Sequence, residues 1–351
     1  MKMMNITEQQ NNRTTEQNSR NYSIDSLKFL CAVFVVMIHL QLAKIGPIGF
    51  RRLLSCAVPC FFMTSGYLLF AKEGMAARCK KGAIRITKLF LTIWTIWFAC
   101  NLIFYFDDFN FWECFSLREL FLCFAMNFTL GRSFGLFGID VLWYLQAYIY
   151  VLVISYFVAK HHLWKFAFWS IPLLVIGLTI LGVYRFPLFG IDATTPRLVR
   201  NFLFVGVPCF SIGAFIKYKW DYVKQIQWKT LVGFFVVFFA LGKVENKLTS
   251  LPAFFIGGDT ATKAQIIEAT SIAVVCLATV FFLIFLKINQ KKPNIISMLG
   301  EKYSLYIYLF HFPMIHLLRY FGIQNKIVLL ALVILCAIFI TWVFRKVKIL
   351  H

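Results

Sequence analysis

Apolar runs of about twenty residues recur along the chain, divided by short clusters of Lys and Arg, and no other feature restricts the fold as strongly. A hydrocarbon layer about 30 Å thick is crossed by ~20 helical residues, because a helix satisfies its own backbone there. The candidate segments are residues 24–42, 53–71, 85–106, 140–159, 164–183, 198–217, 229–246, 267–287, 303–320 and 326–344. Composition agrees: 60% of the 351 residues are hydrophobic and 15% charged, whereas soluble domains average about 25% charged. Water-soluble enzymes, disordered scaffolds and collagen-like chains are excluded. The expected fold is all-α, a polytopic integral membrane protein of about ten transmembrane helices.

The net charge of +21 raises nucleic acid as a partner, but the cations stand in short clusters between apolar runs and no nucleic-acid-binding motif accompanies them. Such clusters orient a polytopic chain, with Lys and Arg kept on the cytoplasmic side. With ten spans and a cytoplasmic N-terminus, 23 of the 36 Lys and Arg fall inside, giving that face a net +17 against +4 outside. Counting the short apolar stretch 117–130 as an eleventh span would turn four basic clusters outward. It is therefore expected outside, as a surface or re-entrant piece, with both termini cytoplasmic. Residues 1–22, rich in Asn, Gln and Thr, are expected to form a disordered cytoplasmic tail, and residues 347–351 a short cytoplasmic end. The tail is too long and uncharged for a signal-peptide n-region, so the first apolar run is expected to be retained. The ten cysteines show no CxxC pair and no metal-site spacing. They read as small buried residues, and no metal is implied.

Polar side chains inside a membrane helix are costly and mostly functional, which singles out Asp25, Lys28 and His39 in the first run. Lys28 and His39 are eleven residues apart. At 100° per residue they share one helix face, separated by about 16 Å along the axis. Asp25, one turn before Lys28, can pair with it. Lys28 also reads as a boundary residue snorkelling to the interface, and His39 as an interfacial histidine. Between Arg78 and Lys88 the basic residues, among them Arg78, Lys81, Arg85 and Lys88, form a loop able to hold phosphate groups. The same loop serves equally as a topology signal or an anionic-lipid contact. His311 lies about 12 Å into the ninth run beside Pro313, either packed or lining a cavity. Asp140, just before Trp143, caps a helix or binds a sugar hydroxyl. Ser65 beside Gly66 reads as helix packing, and His161, His162 and His316 as structural.

Lys28-x10-His39 resembles the Arg/Lys-x10-His signature of the acyltransferase-3 family of integral membrane acyltransferases. The resemblance continues in Val58-Pro59-Cys60-Phe61-Phe62-Met63-Thr64-Ser65-Gly66-Tyr67, in Leu142-Trp143-Tyr144-Leu145, and in Ser304-Leu305-Tyr306-Ile307-Tyr308-Leu309-Phe310-His311-Phe312-Pro313, in the family's order. The family's Arg-x-x-Arg is matched imperfectly by Arg78-x-x-Lys81 and Arg85-x-x-Lys88. Position 148 is Tyr, where the peptidoglycan-modifying type carries a glutamate. The resemblance is therefore nearer to members acting on surface polysaccharides. It implies a membrane acyltransferase domain over residues 23–346 in a bacterial cytoplasmic membrane, moving an acyl group, expected to be acetyl, from acyl-CoA to a carbohydrate or lipid-linked glycan hydroxyl. His39 would be the catalytic base or, within the same class, a transient acyl carrier. Lys28, Arg78, Lys81, Arg85 and Lys88 would hold the acyl-CoA, and Asp140, Trp143 and His311 the acceptor. The competing class is a polysaccharide or lipid-linked-sugar exporter, which needs no coenzyme A site.

Overall fold

Helices form where the apolar runs place them. The computed structural model describes residues 20–42, 50–70, 74–104, 116, 117, 120, 121, 123, 139–182, 184, 188, 189, 199–249 and 271–346, and among these no strand occurs. The long helices are α1 (Tyr22–His39), α2 (Phe50–Leu69, interrupted at Cys56), α3 (Met75–Phe104), α4 (Trp143–Lys160) and α5 (Trp164–Gly182). They continue with α6 (Val207–Tyr218, entered through a π-helical turn at Phe202–Gly206), α7 (Trp228–Thr249), α8 (Ile272–Ile288), α9 (Ile295–Tyr320) and α10 (Lys326–Lys346). Five stretches are long and apolar enough to cross a membrane: Tyr22–His39, Phe50–Leu69, Met75–Cys100, Trp164–Gly182 and Lys326–Val343.

The helix starts are written in the sequence. Asn21 caps α1 by accepting from the Ser23 amide at 3.0 Å. Ser271 caps α8, and Asn294 with Ser297 forms a reciprocal capping box on α9. Each cap satisfies an amide that the helix itself leaves without a partner.

One expectation fails at α3. The basic segment is not a loop: α3 begins at Met75, so Arg78, Lys81, Arg85 and Lys88 are helical. No proline interrupts the segment, and its side chains sort by face, with Cys79 and Ala83 buried while all four cations are exposed. An amphipathic pattern of that kind favours helix over loop. The tail boundary also moves slightly, since Arg20 and Asn21 already make defined hydrogen bonds and Tyr22 is helical. Residues 1–19, most of 117–130 and residues 347–351 lie outside the described residues.

Packing relies on small residues where backbones meet. α1 packs most extensively against α9. At their crossing a methyl group on Gly300 would overlap the Asp25 carbonyl oxygen. α2 meets α6 in the same way, Gly66 against the Phe210 carbonyl and Gly213 against that of Met63. Between apolar helices in lipid, such close approach supplies the van der Waals contact that water exclusion does not. The start of α1 is tied to the end of α8, with the Tyr22 amide donating to the Gln290 carbonyl at 2.9 Å and the Asn21 amide group to the Leu286 carbonyl at 3.2 Å. The nine described cysteines are free, and most are buried.

Candidate functional site

The site follows α1 from end to end. At its start, Asp25 is buried and holds two cations: the Lys28 ammonium at 3.0 Å and the Arg20 guanidinium at 2.8 Å. Arg20 also bridges to Glu301 on α9 at 2.7 Å. The pairing of Asp25 with Lys28 is thus as the helix spacing predicts. It leaves the Lys28 side chain partly exposed, at 27%.

Lys28 and Glu301 stand on the wall of a cavity of about 230 Å³ between α1, α2, α4 and α9. Phe61, Thr64, Ser65, Tyr144, Ser304 and Tyr308 complete most of its lining. The residues at positions 61–65 come from the apolar motif of α2. Ser65, read from the sequence as packing, therefore faces this cavity. The buried Thr64 hydroxyl has no hydrogen-bond partner among the described residues, an acceptor and donor available to a bound group.

Tyr308 connects the cavity to the far end of α1. Its hydroxyl donates to the Val141 carbonyl, and its ring lies 5.8 Å from that of His311. The His311 ring is 4.9 Å from that of His39, the last residue of α1, and the Phe312 ring meets His39 edge-on at 5.5 Å. α1 ends against the middle of α9, which runs on through Pro313 to Tyr320. Two histidines far apart in the sequence are thereby adjacent. His311 is fully buried, while His39 is half-buried.

Arg200 adds a cation that the sequence reading did not single out. Its guanidinium covers the Trp143 ring at 5.0 Å. The only sequence signal was position, an Arg at the start of an apolar run, three residues after Arg197.

The predicted site residues fall into three groups. Lys28 lines the cavity, His39 and His311 stand together beside Tyr308 on its wall, and Trp143 begins α4 next to Tyr144 of the lining. Arg78, Lys81, Arg85 and Lys88 do not line the cavity: they stand on the exposed face of α3 at spacings of three, four and three residues, a stripe about 15 Å long. The Asp140 side chain lies outside the described structure, although Asp140 itself belongs to a 3-10 turn leading into α4.

The described helices thus set a partly polar cavity beside Lys28 and Glu301, with a pair of adjacent histidines next to Tyr308 on its wall. A model of the acyltransferase domain matches residues 21–346, and the chain belongs to the acyltransferase-3 family. It is a membrane acyltransferase. Searches of curated proteins and of solved structures return no match.

Proposed function

We propose that the protein moves an acyl group, acetyl in the first instance, from acyl-CoA to a hydroxyl of a cell-surface carbohydrate or its lipid-linked precursor. The setting is a bacterial cytoplasmic membrane, crossed ten times with both termini inside, as the uneven division of Lys and Arg indicates. The observation that carries the reading is the cavity that starts at Lys28 and ends at the wall formed by Tyr308, behind which stand His311 and His39.

Donor phosphates are held at the basic end, by Lys28 and by Arg78, Lys81, Arg85 and Lys88 on α3, with the pantetheine arm extended through the cavity. The acceptor sugar approaches the other end, where Trp143 offers a ring for stacking and Asp140 and Arg200 polar groups for hydroxyls. His39 takes the proton of the acceptor hydroxyl as its oxygen attacks the thioester carbonyl. The C–S bond breaks, and the departing coenzyme A thiolate receives the proton back from the His39 imidazolium. Such positioning of base, acceptor and thioester is what converts a slow bimolecular step into a fast local one.

The test is transfer of labelled acetyl from acetyl-CoA to candidate glycans by purified protein in lipid nanodiscs. Labelled glycan is the expected product. Glycan translocation in vesicles without any binding of coenzyme A would instead establish the exporter reading.

A further inference from the structure

We infer that His311 is a positioning residue that fixes His39 in one tautomer and one ring orientation. The inference deepens the acyl-transfer reading and rests on it for its catalytic meaning. It begins from the hydrogen bonding of His311 alone. The Nδ1 of His311 is 2.5 Å from the Tyr308 carbonyl oxygen. A carbonyl oxygen only accepts, so Nδ1 carries the proton and Nε2 is left with a bare lone pair. That Nε2 is buried and has no partner among the described residues, on a residue with 0% exposure. Buried polar atoms without partners are rare, and one beside a reacting group points to a bond completed during function.

The neighbours of the His311 ring decide what can complete it. Around it are the rings of Tyr308, Phe312 and His39. The Tyr308 hydroxyl is already committed to the Val141 carbonyl, and Phe312 has no donor. His39, with its ring centroid 4.9 Å away, carries the N–H that fits. A small turn of the half-buried His39 ring brings one of its nitrogens to His311 Nε2 as donor. Its other nitrogen is then obliged to be the unprotonated one, turned away from α9 toward the acceptor. The chain of bonds runs from His39 N–H to His311 Nε2, and from His311 Nδ1–H to the Tyr308 carbonyl. It does for His39 what a carboxylate does in a hydrolase triad, holding the base in its reactive tautomer, but without placing a charge in the membrane interior. Full burial means that His311 acts through His39 rather than by touching the acceptor.

The experiment compares wild type with His311→Phe and His311→Gln. Histidine-selective ¹⁵N solid-state NMR of the full chain in lipid, with His39 signals assigned by their loss in His39→Gln, reads the tautomer directly. Wild type is expected to show a single neutral tautomer at His39, and His311→Phe a mixture. In acetyl transfer, His311→Phe is expected to lower kcat by ~10²-fold or more while leaving KM for acetyl-CoA within about twofold. His311→Gln, whose amide oxygen can accept where Nε2 did, is expected to recover kcat to within about tenfold of wild type. The inference is overturned by mixed tautomers in wild type, by an unaltered kcat in His311→Phe, or by a Gln variant as slow as Phe. A single tautomer lost in His311→Phe, in a protein that transfers no acyl group to any glycan, upholds the pairing and rejects the acyl-transfer reading instead.

Discussion

In the proposed reaction His39 concentrates the chemistry, and its two substitutions separate base catalysis from packing. His39→Ala is expected to lower transfer by 10²–10⁴-fold with donor binding retained, since that is what loss of a general base costs. His39→Gln keeps a hydrogen-bonding group of similar reach but cannot shuttle a proton, and is expected to fail as well. Wild-type rates in purified His39→Gln would remove His39 from the chemistry. At this scale the sequence was legible where a residue's role depends on its own helix. The pairing of Lys28 with Asp25, and the shared face of Lys28 and His39, follow from spacing alone. What stayed hidden depends on tertiary contact: the adjacency of His39 and His311, 272 positions apart, and the reach of Arg200 to Trp143.

Among the elements, α1 and α9 carry the site between them, and their contact is set by one residue without a side chain. Gly300→Val is expected to force the helices apart at Asp25, because the added atoms meet backbone that cannot rotate away. Overpacking typically destabilises by about 1–3 kcal/mol. A lowered unfolding temperature in detergent, together with lost activity, checks it; an unchanged melting temperature would argue that α1 and α9 are loosely joined. For α3 the expectation concerns charge. Neutralising Arg78, Lys81 and Arg85 together is expected to weaken acyl-CoA binding without preventing insertion, since the remaining inner clusters still orient the chain. Calorimetric titration of the triple variant with coenzyme A decides, and wild-type affinity would leave the stripe as an orientation signal. The helical state of this segment was open to reading from the outward spacing of its cations. Counting it as a loop followed from giving net charge more weight than periodicity.

For the molecule as a whole, alternation of the helices puts the turn after α9 and the turn before it on opposite sides. Asn325 and Lys292 mark those turns in the described structure, each flanking a helix end. A cysteine at 325 is expected to react with an impermeant maleimide applied from outside intact cells, and one at 292 only after permeabilisation. The reverse pattern would invert the topology and place the donor end of the site outside. Fold class was the most legible level of all, because twenty-residue apolar runs leave lipid as the solvent and helix as the backbone solution. The arrangement of those helices was not, since interhelical contacts through Gly213 and Gly300 leave no periodic trace in the sequence.

The ties at both ends of α1 have a metric consequence. Asp25 and Glu301 anchor the basic end to α9 through Arg20, and His39 meets the same helix at the other end, so α1 is a rod of fixed length clamped against α9. Lys28 and His39 are consequently held about 16 Å apart whatever the rest of the molecule does. In the proposed reaction, a clamp of that kind would measure the donor. Acetyl thioesters of progressively shortened carriers, from coenzyme A through pantetheine to N-acetylcysteamine, present the same reactive bond on arms of decreasing reach. Only those long enough to touch both ends of the rod are expected to react efficiently, and the rate should fall in a step rather than in proportion to carrier length.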